Sequence, residues 1–224
     1  MLTIVAVSVS CEETDNSGLE LLGSANVHVR LIGDAANKVE RVELTLTGVD
    51  ISPAIFGQMK REDGSWFADI KDIPAGVNNR IVRATAFDSS GVSLAELSIE
   101  QVTITNNRSA EVFLYLDTGV RNAQGSGDSG PVIDGLSASS AEAYTDEVIT
   151  FTVSSHDPGS NDALRYTWSA DGGFFYSASS AIVSWNTPSR PGRYKIWVTV
   201  TDSTGKQVSQ SIHVRVVNMP PLSF

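Results

Sequence analysis

Residues 191–205 read PGRYKIWVTVTDSTG, and residues 73–91 read IPAGVNNRIVRATAFDSSG. In both, a Pro/Gly turn leads into a run of alternating apolar and polar residues that ends in Asp-Ser-Ser/Thr-Gly. Alternation with a period of two is typical of a half-buried β-strand. Asp accepts hydrogen bonds from backbone N–H groups two residues on, and Gly supplies the positive φ that a hairpin closure needs. A hairpin repeated in the two halves predicts a repeated β fold.

The same alternation recurs along the chain from residue 25 to residue 217. Strands of about four to eight residues alternate with Gly, Asn, Asp, Ser and Pro turns, which favours sandwiches over alternating βα units. The length of 224 residues suits two sandwiches of roughly 100 residues each. The apolar faces of the predicted strands include Val27, Val29, Leu31, Val42, Leu44, Leu46, Trp66, Ala68, Ile70, Val82, Ala84, Ala86, Val112, Leu114, Leu116, Ile149, Phe151, Val153, Trp185, Ile196, Val198, Val200, Ile212, Val214 and Val216.

A change of composition separates the two halves. Residues 118–130, TGVRNAQGSGDSG, contain four glycines and almost nothing to bury, as in a flexible linker. The sequence therefore predicts an all-β protein with two tandem immunoglobulin-like β-sandwich domains joined by a Gly/Ser linker. The predicted parts are an N-terminal segment 1–18, a first sandwich 19–118, the linker 119–130, a second sandwich 131–218 and a C-terminal tail 219–224.

The second half carries several family-like segments: PVIDGLSASS at 131–140, LRYTWSADGG at 164–173 and the hairpin at 191–205. With these segments, residues 131–218 resemble a PKD or closely related bacterial immunoglobulin-like domain. The resemblance implies that Trp168 centres the second core and that Tyr194 forms a tyrosine corner, with its hydroxyl bonded to nearby backbone. PKD domains commonly carry Phe-Gly-Asp-Gly after the tryptophan strand, whereas this chain has ADGGF at that point.

The N-terminus has two interpretations. Residues 1–11, MLTIVAVSVSC, are an apolar run that ends at the only cysteine and precedes the polar stretch EETDNSG. This resembles a bacterial lipoprotein signal, in which Cys11 is lipidated and residues 12–18 form a tether. The alternative is that residues 2–10 form a first β-strand. No run reaches the ~18 apolar residues of a membrane span, and a lone cysteine forms no internal disulfide.

The net charge of −10 is uneven along the chain. Residues 1–118 hold 9 Lys and Arg against 17 Asp and Glu, and residues 119–224 hold 7 against 9. The halves therefore carry −8 and −2. An acidic chain without a Lys/Arg cluster in its sequence is not expected to bind nucleic acid, because phosphate backbones are repelled.

Catalytic chemistry has little support in the sequence. His28, His156 and His213 are far apart, and the chain lacks zinc-ligand spacing, a phosphate-binding glycine loop and a nucleophile elbow. His28 and His213 fall on polar strand faces and are expected to face solvent, whereas His156 has no obvious partner. Cys11 has no cationic neighbour that would lower its pKa. The prediction is that the protein is not an enzyme and carries no cofactor.

Two kinds of ligand remain as candidates. Asp157, Asn161 and Asp162 share one loop and offer the oxygen donors that calcium prefers, although Asp and Asn are also ordinary turn residues. Large aromatic side chains can anchor a carbohydrate or protein partner, and the alternative is packing against a neighbouring module. The candidate aromatic residues are Phe174, Phe175, Tyr176 and Trp197.

These features predict a non-catalytic extracytoplasmic structural or binding protein. The whole chain resembles a bacterial surface lipoprotein with tandem β-sandwich modules. The resemblance implies a surface-anchored spacer, or a component of an envelope or adhesive assembly, at the cell surface, outer membrane or periplasm. The expected partner is a protein or glycan at the cell envelope. The alternatives are a carbohydrate-binding or accessory module of a glycan-active enzyme and an adhesin stalk rigidified by calcium.

Overall fold

The computed structural model describes residues 21–33, 35–118, 130–158 and 163–220. These residues form an all-β fold whose single helical element is a 3₁₀ turn at Ala36–Lys38. The strands of the first half are β1 (Leu22–Ile32), β2 (Arg41–Gly48), β3 (Ile51–Gln58), β4 (Lys60–Glu62), β5 (Ser65–Pro74), β6 (Gly76–Phe87), β7 (Ser93–Ile104) and β8 (Ser109–Asp117). The strands of the second half are β9 (Val132–Ala138), β10 (Glu142–Tyr144), β11 (Val148–His156), β12 (Arg165–Ala170), β13 (Phe174–Phe175), β14 (Ile182–Asn186), β15 (Gly192–Thr201) and β16 (Gln207–Val217).

The first half is a sandwich of two sheets. Strands β8, β1, β5 and β4 form one layer, in which β1 pairs with β5 antiparallel and with β8 parallel. Strands β3, β2, β6 and β7 form the facing layer. The first core lies between them and draws its buried residues from Ala25 to Leu116. The predicted alternation is confirmed here, because the apolar side chains of β1, β2, β5, β6 and β8 point into this core.

The second half is a sandwich of the same kind. Strands β13, β14, β11 and β9 face the sheet formed by β10, β16, β15 and β12, which we call the outer sheet of the second half. Its core extends from Ile133 to Val216 and contains Phe151, Trp168 and Trp185. The fold class predicted from the sequence, tandem all-β immunoglobulin-like sandwiches, is therefore confirmed.

The two halves are joined more closely than a flexible linker implies. Strand β8 of the first half pairs antiparallel with β9 of the second, with Phe113 opposite Leu136 and Leu114 opposite Gly135. This pairing makes one continuous eight-stranded sheet that runs through both sandwiches. Most of the predicted linker, residues 119–129, lies outside the described residues. The described strands on either side of it meet edge to edge, an arrangement that the sequence did not predict.

The repeated hairpin closes in the same way in both halves. Asp88 Oδ1 accepts hydrogen bonds from the backbone N–H groups of Ser90 and Val92, and Asp202 Oδ1 accepts them from Thr204 and Lys206, all at 2.8–2.9 Å. Gly91 and Gly205 have φ of 83° and 91°, the left-handed region that favours glycine. The turn geometry predicted from Asp-Ser-Ser/Thr-Gly is confirmed.

No helix among the described residues is long and apolar enough to cross a membrane.

Candidate functional site

The junction between the two sandwiches is centred on strand β8. Val112, Leu114 and Leu116 on one face of this strand are buried in the first core. Phe113 and Tyr115 on the other face pack against the second core. One strand therefore contributes side chains to both cores, because successive residues of a strand point to opposite faces. The signal in the sequence is the run VFLYL at 112–116, which is apolar or aromatic at every position, as in a strand covered on both sides.

Arg108, just before β8, links the halves by its side chain. Its Nη2 donates hydrogen bonds to both carboxylate oxygens of Glu147 at 3.2 and 3.0 Å, and its Nη1 donates to the Glu142 carbonyl at 3.2 Å. The guanidinium carbon lies 4.4 Å from the centre of the Tyr144 ring. Both charged side chains are largely covered, so solvent screens this bidentate pair less than an exposed pair. The sequence did not single out Arg108, Tyr144 or Glu147.

Backbone contact fixes the same end of the junction. The Ala141 N–H donates to the Ser109 carbonyl at 2.8 Å. Glu147 Oε2 accepts a hydrogen bond from the Tyr144 N–H at 2.6 Å, which orients the carboxylate toward Arg108. The charge pair is therefore held by a preorganised acceptor.

Contacts between the two halves cover both faces of the shared sheet where the halves meet. On one face, the Thr152 hydroxyl donates to the Gln101 carbonyl at 3.3 Å, and a Cβ on Gly135 would lie 3.1 Å from the Phe113 carbonyl and 3.2 Å from Ile99 Cδ1. Glycine at 135 thus permits the close approach of the two halves.

On the other face, Tyr115 Oη bonds to Gln210 Oε1 at 3.3 Å. Burial raises the pKa of Tyr115, and the nearby Arg30 guanidinium opposes that rise. The tyrosine is therefore a neutral hydrogen-bond donor at the junction near neutral pH.

His28 lies beside this junction and not fully in solvent. Its side chain is 35% exposed, and its ring stacks on Phe113 with centroids 4.6 Å apart and an interplanar angle of 10°. His28 Nε2 is 3.1 Å from Glu111 Oε2, and Asn26 Nδ2 donates to Glu111 Oε1 at 2.8 Å. The prediction of a simple solvent-facing histidine is wrong in this respect, because strand pairing between β1 and β8 brings aromatic and acidic neighbours to the same face.

The other two histidines, His156 and His213, do not lie beside His28. His156 Nδ1 is 2.8 Å from Asp134 Oδ2, so this residue has a partner that the sequence did not reveal, on strand β9. His213 is exposed on β16. Within the described ranges, no group of three or more His, Cys, Asp or Glu side chains could hold a metal ion.

The candidate calcium loop is only partly described. Asp157 lies just after β11, and Asn161 and Asp162 lie outside the described residues. Cys11, the candidate lipidation site, also lies outside them. Both sites stay predictions from the sequence.

The aromatic residues after the tryptophan strand divide into an exposed pair and a packed residue. Phe174 and Tyr176 are 54% and 65% exposed, and their rings form an edge-to-face pair with centroids 5.3 Å apart. Phe175 points the other way and packs against the second core, 6.2 Å from Trp168. The short strand β13 that carries Phe174 and Phe175 is at the edge of the eight-stranded sheet. The structure thus brings Phe174 and Tyr176 together on an accessible edge and separates both from Phe175.

The four tryptophans have different surroundings. Trp168 and Trp185 are buried in the second core and donate their indole N–H to the carbonyls of Ser180 and Gly172 at 2.9 and 3.0 Å. Trp66 is buried in the first core. Trp197 is half-buried on the solvent side of β15, and the Lys195 Nζ lies 5.1 Å from the centre of its ring.

Tyr194 joins the start of β15 to the turn before it. Its hydroxyl donates to the Arg190 carbonyl at 2.9 Å, and its half-buried ring lies 6.3 Å from that of Trp185. Gly172 and Gly173 accommodate these rings, because a Cβ on either would lie under 3 Å from Tyr194 or Trp185. The ADGGF segment therefore packs closely with aromatic residues of the second core.

The fold and the junction define a class: a tandem immunoglobulin-like β-sandwich protein. Residues 131–217 match the family model He_PIG, described as "Putative Ig domain". No curated protein matches the chain. Immunoglobulin-like folds are typically non-catalytic modules.

Several solved structures are similar to the chain in part. The fibronectin(III)-like modules of Clostridium thermocellum CbhA match at 14% identity and a TM-score of 0.29, covering 85% of this chain and 88% of that one. The tandem Ig repeats of Dlar match at 9% identity and a TM-score of 0.29, covering 90% and 100%.

A nucleoside hydrolase-related hypothetical protein from Saccharophagus degradans, associated with carbohydrate metabolism, matches at 21% identity and a TM-score of 0.30 over 40% of this chain. The chain spans a quarter of the length of that protein.

Proposed function

We propose that this protein is a rigid extracytoplasmic spacer whose two sandwiches hold a fixed relative orientation within an envelope or adhesive assembly. The single observation that carries the proposal is the shared strand β8, which is hydrogen-bonded to both halves and packs into both cores. A spacer needs two modules that do not pivot. A continuous sheet resists pivoting, because any rotation between the halves breaks backbone hydrogen bonds and exposes apolar surface.

The side chains at the junction support the same conclusion. Arg108 connects to Glu147 and to the Glu142 carbonyl, and Tyr115 connects to Gln210 about a hundred residues further on. One contact lies just before β8 and the other near its end, so together they oppose rotation about more than one axis. Inter-domain interfaces are usually mobile unless they are large and apolar, and this junction has the apolar component as well as the polar one.

Distance measurement between spin labels tests the rigidity. With Cys11 replaced by serine, labels are placed at Lys60→Cys in the first half and Ser177→Cys in the second. A narrow single distance distribution in pulsed dipolar spectroscopy is the expected result. A broad or double distribution in the otherwise unaltered protein would overturn the proposal.

A matched pair of glycine variants sharpens that measurement. Gly135→Val places a side chain against the Phe113 carbonyl and Ile99, so it should wedge the junction and broaden the distribution. Gly57→Val on strand β3 adds the same side chain where the nearest atoms are at an ordinary contact distance of 3.8 Å, so it should leave the distribution narrow. Circular dichroism confirms that both variants remain folded.

Attachment to a membrane through Cys11 is the second part of the proposal. It rests on the apolar run that ends at Cys11 and on the acidic segment that follows it. Mass spectrometry of the protein purified from its own cells should find an N-terminal diacylglyceryl-modified Cys11 in the envelope fraction. Recovery of an unmodified chain that starts at Met1 in the cytoplasm would contradict both the anchor and the extracytoplasmic location.

A second candidate function is a carbohydrate-binding or accessory role at the sheet edge. The exposure of the Phe174 and Tyr176 rings favours it, because large aromatic side chains exposed side by side are uncommon away from interaction sites. Glycan-array binding that is lost in Phe174→Ala and Tyr176→Ala, but kept in Val77→Ala at an exposed apolar position of the first half, would establish it. The calcium-rigidified stalk is tested by chelation, which should lower the melting temperature only if the Asp157 loop binds the ion.

A further inference from the structure

The solvent face of the outer sheet of the second half has a composition unlike that of the chain as a whole. Strand pairing puts Arg193 opposite Arg215, Lys195 opposite His213 and Trp197 opposite Ser211. All six side chains lie on the side away from the core, whose residues are Ile196, Val198, Ile212 and Val214. We call Trp197, Lys195, Arg193, His213 and Arg215 the basic face. It is a local concentration of cations on a protein whose net charge is −10.

The acidic neighbours of the basic face only partly neutralise it. Glu142 accepts a hydrogen bond from Arg215 Nη1 at 2.9 Å. Asp171 Oδ1 accepts the backbone N–H of Lys195 at 2.9 Å. Among the described residues, Arg193 has no carboxylate partner within salt-bridge distance. Three Arg and Lys side chains of the basic face therefore stand against two carboxylates, a local formal charge of +1 that favours an anionic ligand.

Trp197 differs from the two tryptophans of the second core in its hydrogen bonding. Trp168 and Trp185 both donate their indole N–H to backbone carbonyls. No acceptor for the Trp197 N–H is found in the described part of the chain, and that ring is partly open to solvent. Its negative ring face attracts the Lys195 ammonium, which can move to an anionic ligand because the lysine stem is flexible.

Hydroxyl groups surround the tryptophan beyond the cations. Ser169 on β12 and Ser211 on β16 flank Trp197 on either side, and Thr167, Thr199 and Ser209 form the next row. Thr199 Oγ1 and Ser209 Oγ are 2.8 Å apart. The basic face therefore offers hydroxyl groups as well as cations beside the Trp197 ring.

We propose that the basic face binds an acidic polysaccharide. The indole would stack on the C–H groups of a sugar ring, the hydroxyls would bond to sugar hydroxyls, and the arginines and Lys195 would bind carboxylates. From Arg193 to Trp197 the strand rises about 14 Å at ~3.4 Å per residue, which requires an oligosaccharide of several units. This goes beyond the spacer function, which needs no ligand.

Isothermal titration calorimetry with oligogalacturonate of defined length tests the proposal. Measurable binding is expected, at least tenfold weaker in Trp197→Ala and in the double variant Arg193→Gln/Lys195→Gln. The double variant Lys60→Gln/Arg61→Gln removes the same charge from the first half and should leave binding unchanged. Rising salt should weaken binding, because the contribution is partly electrostatic.

Two further ligands distinguish recognition of an acidic sugar from recognition of sugar alone or of charge alone. A neutral oligogalactan of equal length should bind at least tenfold more weakly than oligogalacturonate. Polyglutamate of equal charge should not bind measurably, and equal affinity for polyglutamate would mean that the face selects charge alone and would overturn the proposal. No binding of oligogalacturonate, or binding that Trp197→Ala leaves unchanged while the variant keeps its melting temperature, would also overturn it. The spin-label distances test the spacer independently, since none of these variants touches β8.

The pH dependence has a defined sign. Partial burial lowers the pKa of His213, and Arg193 and Lys195 lower it further while Asp171 opposes them. His213 is therefore neutral at pH 7 and gains a charge only when the pH falls below its ordinary value of ~6.5. Affinity for oligogalacturonate should rise as the pH falls from 7 to below about 6.5, and His213→Gln should abolish the rise. Arg215 and its partner Glu142 also border the histidine.

Discussion

The two cores are built from different side chains although they carry the same hairpin turn. The first core is mostly aliphatic, and among the described residues Trp66 is its one buried aromatic residue. The second core is centred on Phe151, whose ring lies 5.8 Å from Trp168 and 6.0 Å from Trp185. The first half instead contains a fully buried cation, Arg80, which pairs with Asp50.

The difference explains why the halves are not equally recognisable from sequence. Buried aromatic residues at set positions, such as Trp168 on β12, are a specific signature of immunoglobulin-like sandwiches, and the family match covers only the second half. Aliphatic residues are interchangeable in a core as long as volume and pattern are kept. The first half therefore keeps the alternation of apolar and polar residues along its strands without a distinctive sequence.

The largest expected effect is the loss of an aromatic centre. Trp185→Ala should destabilise the protein by about 3–5 kcal/mol, because it leaves a large cavity and an unpaired Gly172 carbonyl. Trp66→Ala should cost less, since the Trp66 indole N–H has no partner among the described residues and no hydrogen bond is lost. Denaturant unfolding followed by circular dichroism measures both. Equal losses would contradict the distinction between the two cores.

Removal of the buried Arg80 side chain should have the next largest effect. The Arg80 guanidinium donates to Asp50 and to the carbonyls of Pro74 and Ala75, so Arg80→Ala leaves several acceptors without a donor. We expect a loss of about 2–4 kcal/mol, below that of a fully buried pair because Asp50 keeps some hydration. Asp50→Asn, which keeps an acceptor oxygen, should lose less. Thermal unfolding of the two variants gives the comparison, and similar losses would show that the charge on Asp50 carries the effect.

A variant at the junction should lose less stability than the core variants and more than the turn variant. Glu147→Gln removes the charge opposite Arg108 but keeps hydrogen-bonding atoms, and the expected loss is about 1 kcal/mol. Both halves should still unfold together, because β8 belongs to both. Two separate transitions in calorimetry of the unaltered protein would mean that the halves are energetically independent.

The smallest effect is expected at the first hairpin turn. Hydrogen bonds from the Ser90 side chain and then the Val92 backbone lower the pKa of Asp88. A carboxylate with a lowered folded pKa stabilises the fold above its unfolded value of ~3.9, and this contribution is lost as the pH falls through the folded value. Two-dimensional NMR titration should find the Asp88 pKa below 3.8. Asp88→Asn should reduce the acid sensitivity slightly, whereas Asp202→Asn in the buried second turn should destabilise more at pH 7.

Much of the fold was predictable, because period-two alternation and the Asp-Ser-Ser/Thr-Gly turn are local signals. The relation between the halves was not, because strand pairing across the junction depends on contacts that are distant in sequence, such as Tyr115 with Gln210. The glycine-rich composition of 118–130 carries no information about the strands that flank it. The run at 112–116 held the missing signal.

The residues of the candidate sites were likewise only partly predictable from the sequence. Trp197 was predictable as a surface residue, since it alternates with Ile196 and Val198 on one strand. Its cationic and hydroxyl neighbours were not, because Arg215, His213 and Ser211 come from a different strand, whose register only the structure gives. The partner of His156, Asp134 on β9, was missed for the same reason.

The shared strand has a consequence for attempts to study either half alone. Cutting the chain at the glycine-rich segment would strip β8 of one neighbour and uncover Phe113 and Tyr115, leaving an adhesive edge where the intact protein has none. Each isolated half would then be prone to recruit a copy of itself by strand exchange. A dimer seen for one half would be an artefact of the cut, and its disappearance on restoring the other half would identify it as such.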